Sequence, residues 1–449
     1  MNEVREHWGS RFGFVMAALG SAVGLGILWK FPYTVGENGG GLFLLTYLVC
    51  LLIVGVPLFI SELILGRASQ RAAVGAFEVL KPKRLGWRSA GWLGVLASFL
   101  IMSFYSVIAG YGMSYVLMSI SGSFSGKSSA EVVAVYEELS SSGLISLGWH
   151  ALFTFITVAV VLMGVRKGIE RWSKLVTRAL LLILFGLFLY GISLPGFGDA
   201  VRFIFGTGQS QFSWSSAIEA LGLAFWTMSI GQGIMISYGS YMKKGTSVVQ
   251  MGAIVAFGVI VVAILAALTI FPVVFSFDFR PEAGPGLIFQ TLPFLFAQLP
   301  GSLLLSTIFF ALFVFTALTS AIPLVEVVAT NLMELWGIKR RRATWSVGIA
   351  TFLFGIPSAL AGSGQLFGDW AQIFGGNFLD TINGFVSVWV IPLSGLLTAL
   401  FVGWQLDRKL CHAEFTDGTV MKWLYSPYRL FMRYVVPATI VLIILEKIK

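Results

Sequence analysis

The sequence has very little charge. Asp, Glu, Lys and Arg make up 11% of its 449 residues, against about 25% in a soluble domain. A water-facing surface cannot be built from so few charges, so soluble domains, disorder, collagen and coiled coil are excluded. Cysteine is nearly absent: Cys50 and Cys411 are the only two. Far apart in sequence, they exclude a disulfide framework and a cysteine zinc site. Histidine is scarce as well. His7, His150 and His412 are dispersed, with no His-Glu-x-x-His, paired catalytic Asp or Gly-x-Ser-x-Gly, which argues against an enzyme. His7 and His412 read as solvated or loop residues.

What the chain has in quantity is apolar. Hydrophobic residues are 57% of the total, and Phe alone occurs 39 times. A spanning helix needs roughly 20 mostly apolar residues, and eleven such runs are present. They lie near 12–36, 41–66, 90–120, 149–165, 173–194, 214–240, 248–276, 301–335, 343–361, 378–404 and 424–445. The pattern is that of an all-α polytopic membrane protein. The first run follows a polar start without a small-residue cleavage site and reads as a retained helix, not a signal peptide.

The net charge of +9 is explained by orientation. With the N-terminus cytoplasmic and alternating spans, 24 of the 30 Lys and Arg fall inside, five outside, and Lys30 within the first span. This is a positive-inside pattern, and the odd span count puts the C-terminus outside. The Lys339–Arg342 cluster reads as a solvated topology anchor, and no nucleic-acid partner is needed. Residues 277–300 carry Pro281, Pro285, Pro293 and Pro300; they cannot form one straight helix, and two short pieces over the outer mouth would fit.

Two spans contain residues that a lipid-facing helix avoids. The first reads Gly20-Ser21-Ala22-Val23-Gly24-Leu25-Gly26, and each glycine weakens a helix by about 1 kcal/mol relative to Ala. The sixth reads Trp226-Thr227-Met228-Ser229-Ile230-Gly231-Gln232-Gly233. Small residues also serve close helix packing. Unwound backbone at membrane depth, however, is tolerated only where it lines a cavity. Interrupted spans at corresponding positions of two five-helix halves point to a transport site. Thr316, Thr319 and Ser320 share one face of the eighth span. They are suitable oxygen ligands for a small hard cation, although such hydroxyls often bond only their own backbone.

At this point the sequence resembles the neurotransmitter:sodium symporter family, especially its bacterial amino-acid transporters. The motifs that carry the resemblance are Arg5-Glu6-His7-Trp8, Gly24-Leu25-Gly26, Phe31-Pro32-Tyr33, Glu37-Asn38-Gly39-Gly40-Gly41, Glu62 with Gly66-Arg67, Ser103-Phe104-Tyr105-Ser106, Gly284-Pro285-Gly286-Leu287 and Leu318-Thr319-Ser320. The resemblance implies two inverted repeats of five helices with broken helices 1 and 6, rocking for alternating access. The first repeat would be residues 12–194 and the second 214–404, joined by an extracellular connection at 195–213. Residues 1–11 would form a cytoplasmic gate segment, and 405–449 a cytoplasmic loop and helix 11.

The resemblance also implies roles for individual residues. A second sodium site would use the carbonyls of Gly20, Val23 and Thr316 and the hydroxyls of Thr319 and Ser320. A substrate carboxylate would meet Leu25, Gly26 and Tyr105, and the amine Ala22, Trp226, Thr227 and Ser229. The side-chain pocket would be lined by Ile101, Ile108, Trp226, Gln232, Ala321 and Leu324. Phe225 and Trp226 occupy the place of two aromatics, one of which lids the site. Arg5 and Trp8 would close the inner path with Glu334, braced by Tyr241.

Several positions depart from the family pattern. Two Asn side chains of the first sodium site are here Ile27 and Val259, and neighbouring polar positions are Leu223 and Ala263; only Thr227 remains. An apolar side chain cannot replace an amide oxygen around a cation. The expectation is one Na⁺, at the second site, and no chloride requirement. The outer Arg–Asp gate is replaced by Lys30 and Asn383. Lys cannot form a bidentate fork. Lys30 either snorkels to the vestibule or acts in the site, with Glu37, Glu62 and Asp380 as possible partners. Arg178 stands where a proline is common in the fifth span, which puts in question how that helix loosens.

The leading expectation is a sodium-coupled symporter of a small zwitterionic amino acid in the plasma membrane, with a monomer sufficient and the oligomeric state open. Proton coupling or exchange through Lys30 is the second reading. A substrate-sensing receptor that has lost transport is the third, disfavoured by the short tails.

Overall fold

The computed structural model describes residues 6–81, 85–206, 213–279, 284–367 and 369–448. Every regular element among them is helical. The principal ones are α1 (Arg11–Ala22), α2 (Gly26–Glu37), α3 (Gly41–Ser69), α4 (Arg88–Ile120), α5 (Gly143–Leu162), α6 (Val165–Ile192) and α7 (Trp214–Thr227). They continue with α8 (Ile234–Ser240), α9 (Val248–Phe275), α10 (Ser302–Trp336), α11 (Arg340–Ala359), α12 (Trp370–Gln405) and α13 (Lys422–Glu446).

Eight of these are long and apolar enough to cross a bilayer, and nine if α1 and α2, bent by 44°, form one span. Two of the eleven expected spans fall outside that set. Residues 214–240 are broken between α7 and α8. α11 opens on Arg340, Arg341 and Arg342 and buries Thr344, Thr351 and Ser358, which dilutes its apolar character. α5 begins at Gly143 rather than near 149, and 277–300 holds a short turn at Gly284–Leu287 and a helix at Thr291–Ala297. Leu182, Phe257 and Leu304 are 73%, 70% and 63% exposed, which places large apolar side chains where lipid would meet them.

α4 and α10 pack along each other at the centre, and α1 lies against α6, α9 and α10. The ends are fixed by buried polar contacts. Arg67 is fully buried; its Nε donates to Glu414 Oε2 at 2.6 Å, and its Nη1 donates to the Thr246 carbonyl. Breaking a buried pair of this kind costs about 3–5 kcal/mol. At the same end Trp8 is buried against Phe14, Tyr238 and Tyr241, and its indole N–H donates to the Tyr238 carbonyl at 3.0 Å.

Candidate functional site

The site is built by two interruptions. α1 stops where Val23 adopts φ −81°, ψ 51°, and the chain resumes as a π-helical turn over Gly26–Lys30. Such turns often mark functional positions. The second interruption follows α7. Ser229, Gly231 and Gly233 all have positive φ (51°, 75° and 69°) before α8 begins. Glycine accepts that conformation at no steric cost, and a Cβ on Gly231 would also lie 2.6 Å from the Ile391 carbonyl. Ser229 has no such freedom, so its backbone is held by its surroundings.

Those surroundings are specific hydrogen bonds. Ser229 Oγ donates to the Ser21 carbonyl at 3.0 Å, and Ser21 Oγ donates to Ser229 Oγ at 3.2 Å. Ser320 Oγ, from α10, donates to the Ser21 carbonyl at 2.9 Å and lies 3.3 Å from the Gly20 carbonyl. Glu62 Oε1 accepts from the Gly231 N–H at 2.7 Å, and Ser98 Oγ donates to the Gln232 carbonyl at 2.6 Å. Backbone groups freed by the breaks are therefore paired inside the protein, as burial at membrane depth requires.

Gly20, Thr316, Thr319 and Ser320, expected as cation ligands, come together. A Cβ on Gly20 would stand 3.1 Å from Thr319 Cβ, and Thr319 Oγ1 donates to the Thr316 carbonyl at 2.9 Å. Val23 is fully buried at the α1 terminus. Thr177 Oγ1, which the sequence gave no reason to single out, lies beside Gly20 and donates to the Met16 carbonyl at 3.1 Å. The oxygens of this set are all neutral, and among the described residues no group of three or more His, Cys, Asp or Glu could hold a metal. Neutral carbonyl and hydroxyl oxygens suit a monovalent hard cation better than Mg²⁺ or Ca²⁺, which take carboxylates.

Next to it lies a small cavity of about 20 Å³, room for little more than one water molecule. Of the residues expected to bind substrate, Leu25, Gly26, Ile101, Tyr105, Trp226, Ser229, Gln232 and Leu324 line it. Ala22, Ile108, Thr227 and Ala321 are buried but are not among its lining residues. Thr227 Oγ1 instead faces Tyr47 Oη at 2.8 Å. Ser21, Gly24, Ser320 and Ile234 line the cavity in addition; the sequence marked Ser320 for the cation only. The Leu25 N–H donates to Tyr105 Oη at 3.2 Å, so a backbone donor and a phenol already converge at the expected carboxylate position.

Ile27, Leu223, Val259 and Ala263 are all buried, at most 1% exposed. These four side chains are apolar, and the Thr227 hydroxyl is paired with Tyr47 Oη at 2.8 Å.

On the far side of the cavity the half-buried Lys30 extends its Nζ over the Trp226 ring, 5.4 Å from the centroid. Trp226 Nε1 donates to Ser387 Oγ at 3.0 Å, which donates to Asn383 Oδ1 at 3.3 Å. Lys30 and Asn383 are thus joined through Trp226 and Ser387. Phe225 is fully buried.

At the opposite end Tyr241 packs on Trp8, ring centroids 6.0 Å apart, and its carbonyl accepts the Trp8 N–H at 3.1 Å. Tyr241 Oη donates to Glu326 Oε1 at 2.6 Å, and Arg340 holds the same carboxylate with both Nη atoms, at 2.7 and 3.0 Å. Arg340 is therefore not the solvated anchor that its cluster suggested. The fork geometry lets it neutralise a carboxylate buried in α10. Glu334 accepts the Ala72 N–H at 3.0 and 2.9 Å through its two oxygens. Arg5 lies outside the described residues. His150, also unassigned from sequence, is buried between Ser106 Oγ at 2.9 Å and the Phe352 carbonyl at 3.1 Å.

Comparison with known proteins agrees with this architecture. The model of the "Sodium:neurotransmitter symporter family" matches residues 5–132 and 128–449. The sodium-dependent transporter YhdH of Bacillus subtilis (strain 168) is 38% identical over 442 residues, covering 98% of this chain and 97% of its own. The sodium-dependent dopamine transporter of Bos taurus is 29% identical, over 78% of this chain and 58% of its own. Among solved structures, MhsT in complex with L-phenylalanine superposes with a TM-score of 0.89 at 36% identity, covering 98% of this chain and 99% of that one.

Proposed function

The chain belongs to the sodium:neurotransmitter symporter family, and on that footing we propose that it is a sodium-coupled symporter of a small zwitterionic amino acid. It is a multi-pass membrane transporter with the family's helical fold. The observation that carries the substrate and ion reading is the junction of the two helix breaks. Ser21, Ser229 and Ser320 tie α1, the strand of unwound backbone before α8, and α10 together at one point. The residues expected to hold the cation and those lining the small cavity meet there, with Ser320 common to both.

In this reading Gly20, Val23, Thr316, Thr319 and Ser320 hold one Na⁺. The substrate carboxylate meets the Leu25 and Gly26 backbone and Tyr105. The ammonium group meets the carbonyls at the end of α7 and Ser229. Ile101, Trp226, Gln232 and Leu324 contact the side chain. MhsT's complex with L-phenylalanine supports an amino acid as the class of substrate. An amino acid needs more space than the cavity offers, so binding opens the site, and the site must then close behind it on each side in turn.

The apolar Ile27, Val259, Leu223 and Ala263 support a single sodium ion and no chloride requirement, because these side chains offer neither an oxygen to a desolvated cation nor a hydrogen-bond donor to an anion. We further propose eleven spans, two inverted repeats at 12–194 and 214–404, the N-terminus in the cytoplasm of the plasma membrane and the C-terminus outside. Lys30 over Trp226 favours a second reading, in which its ammonium takes over the role of the missing first sodium or moves a proton. Uptake into proteoliposomes tests the pair of readings. A sodium gradient drives uptake in the first. A pH gradient drives it in the second, and Lys30→Met abolishes it.

A further inference from the structure

Where the N-terminal segment crosses α6, Glu170 acts as a fastener. Its carboxylate accepts from the Gly9 N–H at 2.7 Å, Ser10 Oγ at 2.9 Å and Lys174 Nζ at 2.6 Å. Beside this knot opens a cleft of about 500 Å³ lined by Arg166, Arg171, Lys174 and Arg178. Four basic side chains against the one carboxylate of Glu170 leave a net charge of +3 in its wall.

The four bases are not equally engaged. Arg166 donates through Nε to the His7 carbonyl at 2.9 Å, and Lys174 serves Glu170. Arg171 and Arg178 are exposed, and no carboxylate among the described residues lies within ion-pair distance of either. The Arg178 guanidinium stands 5.0 Å from the centroid of Phe12, in the first turn of α1.

Positions 171, 174, 175 and 178 lie on one face of α6, and that face continues through Leu182, Phe185 and Leu189, exposed by 73%, 50% and 50%. The cleft is thus a positively charged recess at the foot of an apolar stripe. Arg178 lies about 10 Å along the helix from Arg171, inside the apolar stretch. An arginine there needs a polar partner, since hydrocarbon offers none.

We propose that this cleft binds the phosphate of an anionic phospholipid, through Arg171, Lys174 and Arg178, with an acyl chain lying on Leu175, Leu182 and Phe185. A phosphate accepts bidentate hydrogen bonds from guanidinium groups, and basic recesses beside spanning helices attract anionic head groups. The apolar stripe leading out of the recess selects a lipid over a soluble anion, because it covers the chain as well as the head group. Bound there, the lipid bridges α6 and, by way of Arg178 and Phe12, the first turn of α1. It adds a second strap to the Glu170 fastener. In the orientation proposed above this is the cytoplasmic leaflet, but the binding itself does not depend on that orientation.

The test is native mass spectrometry of the full-length protein equilibrated with equal amounts of phosphatidylglycerol and phosphatidylcholine of the same acyl chains. The wild type retains phosphatidylglycerol in preference. Arg171→Gln with Arg178→Gln weakens that preference about 30-fold, about fivefold for each basic residue, while Lys409→Gln, on another basic segment, leaves it unchanged. Arg178→Gln alone, at an exposed position, loses about fivefold and serves if the double variant does not fold. Equal retention of the two lipids by the wild type, or unaltered preference in the Arg178 variant, overturns the proposal. Displacement of the bound lipid by millimolar glycerol phosphate overturns it too, by assigning the cleft to a soluble anion.

Discussion

Ser229 and Ser21 hold the two helix breaks together: Ser229 Oγ donates to the Ser21 carbonyl at 3.0 Å and accepts from Ser21 Oγ at 3.2 Å. Ser21 lies in the last turn of α1 and Ser229 in the unwound backbone between α7 and α8, so this contact joins the two breaks at the level of the cavity. Ser229→Ala removes it while Ser320 still serves the Ser21 carbonyl. One net hydrogen bond is worth about 1 kcal/mol. Amino-acid affinity, measured by isothermal titration calorimetry in sodium buffer, is expected to fall about fivefold.

Gly24 has no room for a side chain. A Cβ there would lie 2.3 Å from Ser320 Oγ and 3.3 Å from Tyr105 Oη. Gly24→Ala pushes Ser320 from the first break and is expected to abolish sodium-dependent uptake while the protein still folds. Uptake assays with size-exclusion chromatography as the folding control check both outcomes.

Glu326 and Arg340 form a buried fork that also carries Tyr241. Arg340→Leu leaves a buried carboxylate without its countercharge, a loss of about 3–5 kcal/mol. Thermal unfolding in detergent should show a clear decrease in Tm. Adding Glu326→Leu should recover most of that decrease, since an apolar pair of similar size is often neutral.

Ile27 and Val259 are predicted to be why only one sodium ion is coupled. Ile27→Asn with Val259→Asn restores two amide oxygens beside Thr227. The sodium dependence of uptake is expected to steepen from a Hill coefficient of about 1 towards 2. An unchanged coefficient of 1 in a folded, active variant removes this explanation.

Much of this site was legible in the sequence, because glycines and hydroxyls at mid-span have few uses in a helix surrounded by lipid. Gly20, Gly24, Gly231 and Gly233 marked the breaks, and Thr316, Thr319 and Ser320 marked the facing helix. The sixth span, read as interrupted at Gly231 and Gly233, breaks between α7 and α8 at three positive-φ residues, of which Ser229 carries no glycine signature in the sequence. The Glu326–Arg340 fork was missed for a different reason. Arg340 sits in a run of four bases whose charge explains orientation without any partner, and only the packing of α10 on α11 singles it out. The pairing of the Thr227 hydroxyl with Tyr47, far away in sequence, was not legible. Ser320 was assigned to the cation alone, whereas its position on α10 also makes it part of the cavity wall.

The central claim is coupling of one sodium ion to an amino acid at the junction of the breaks. The direct test is radiolabelled amino-acid uptake into proteoliposomes under an inward Na⁺ gradient, compared with K⁺. It is run for the wild type and for Thr319→Ala with Ser320→Ala. Uptake is expected only with the Na⁺ gradient, with a Hill coefficient near 1 for sodium, and is lost in the double variant. Uptake of equal rate in K⁺, unaffected by removing both hydroxyls, would contradict this coupling.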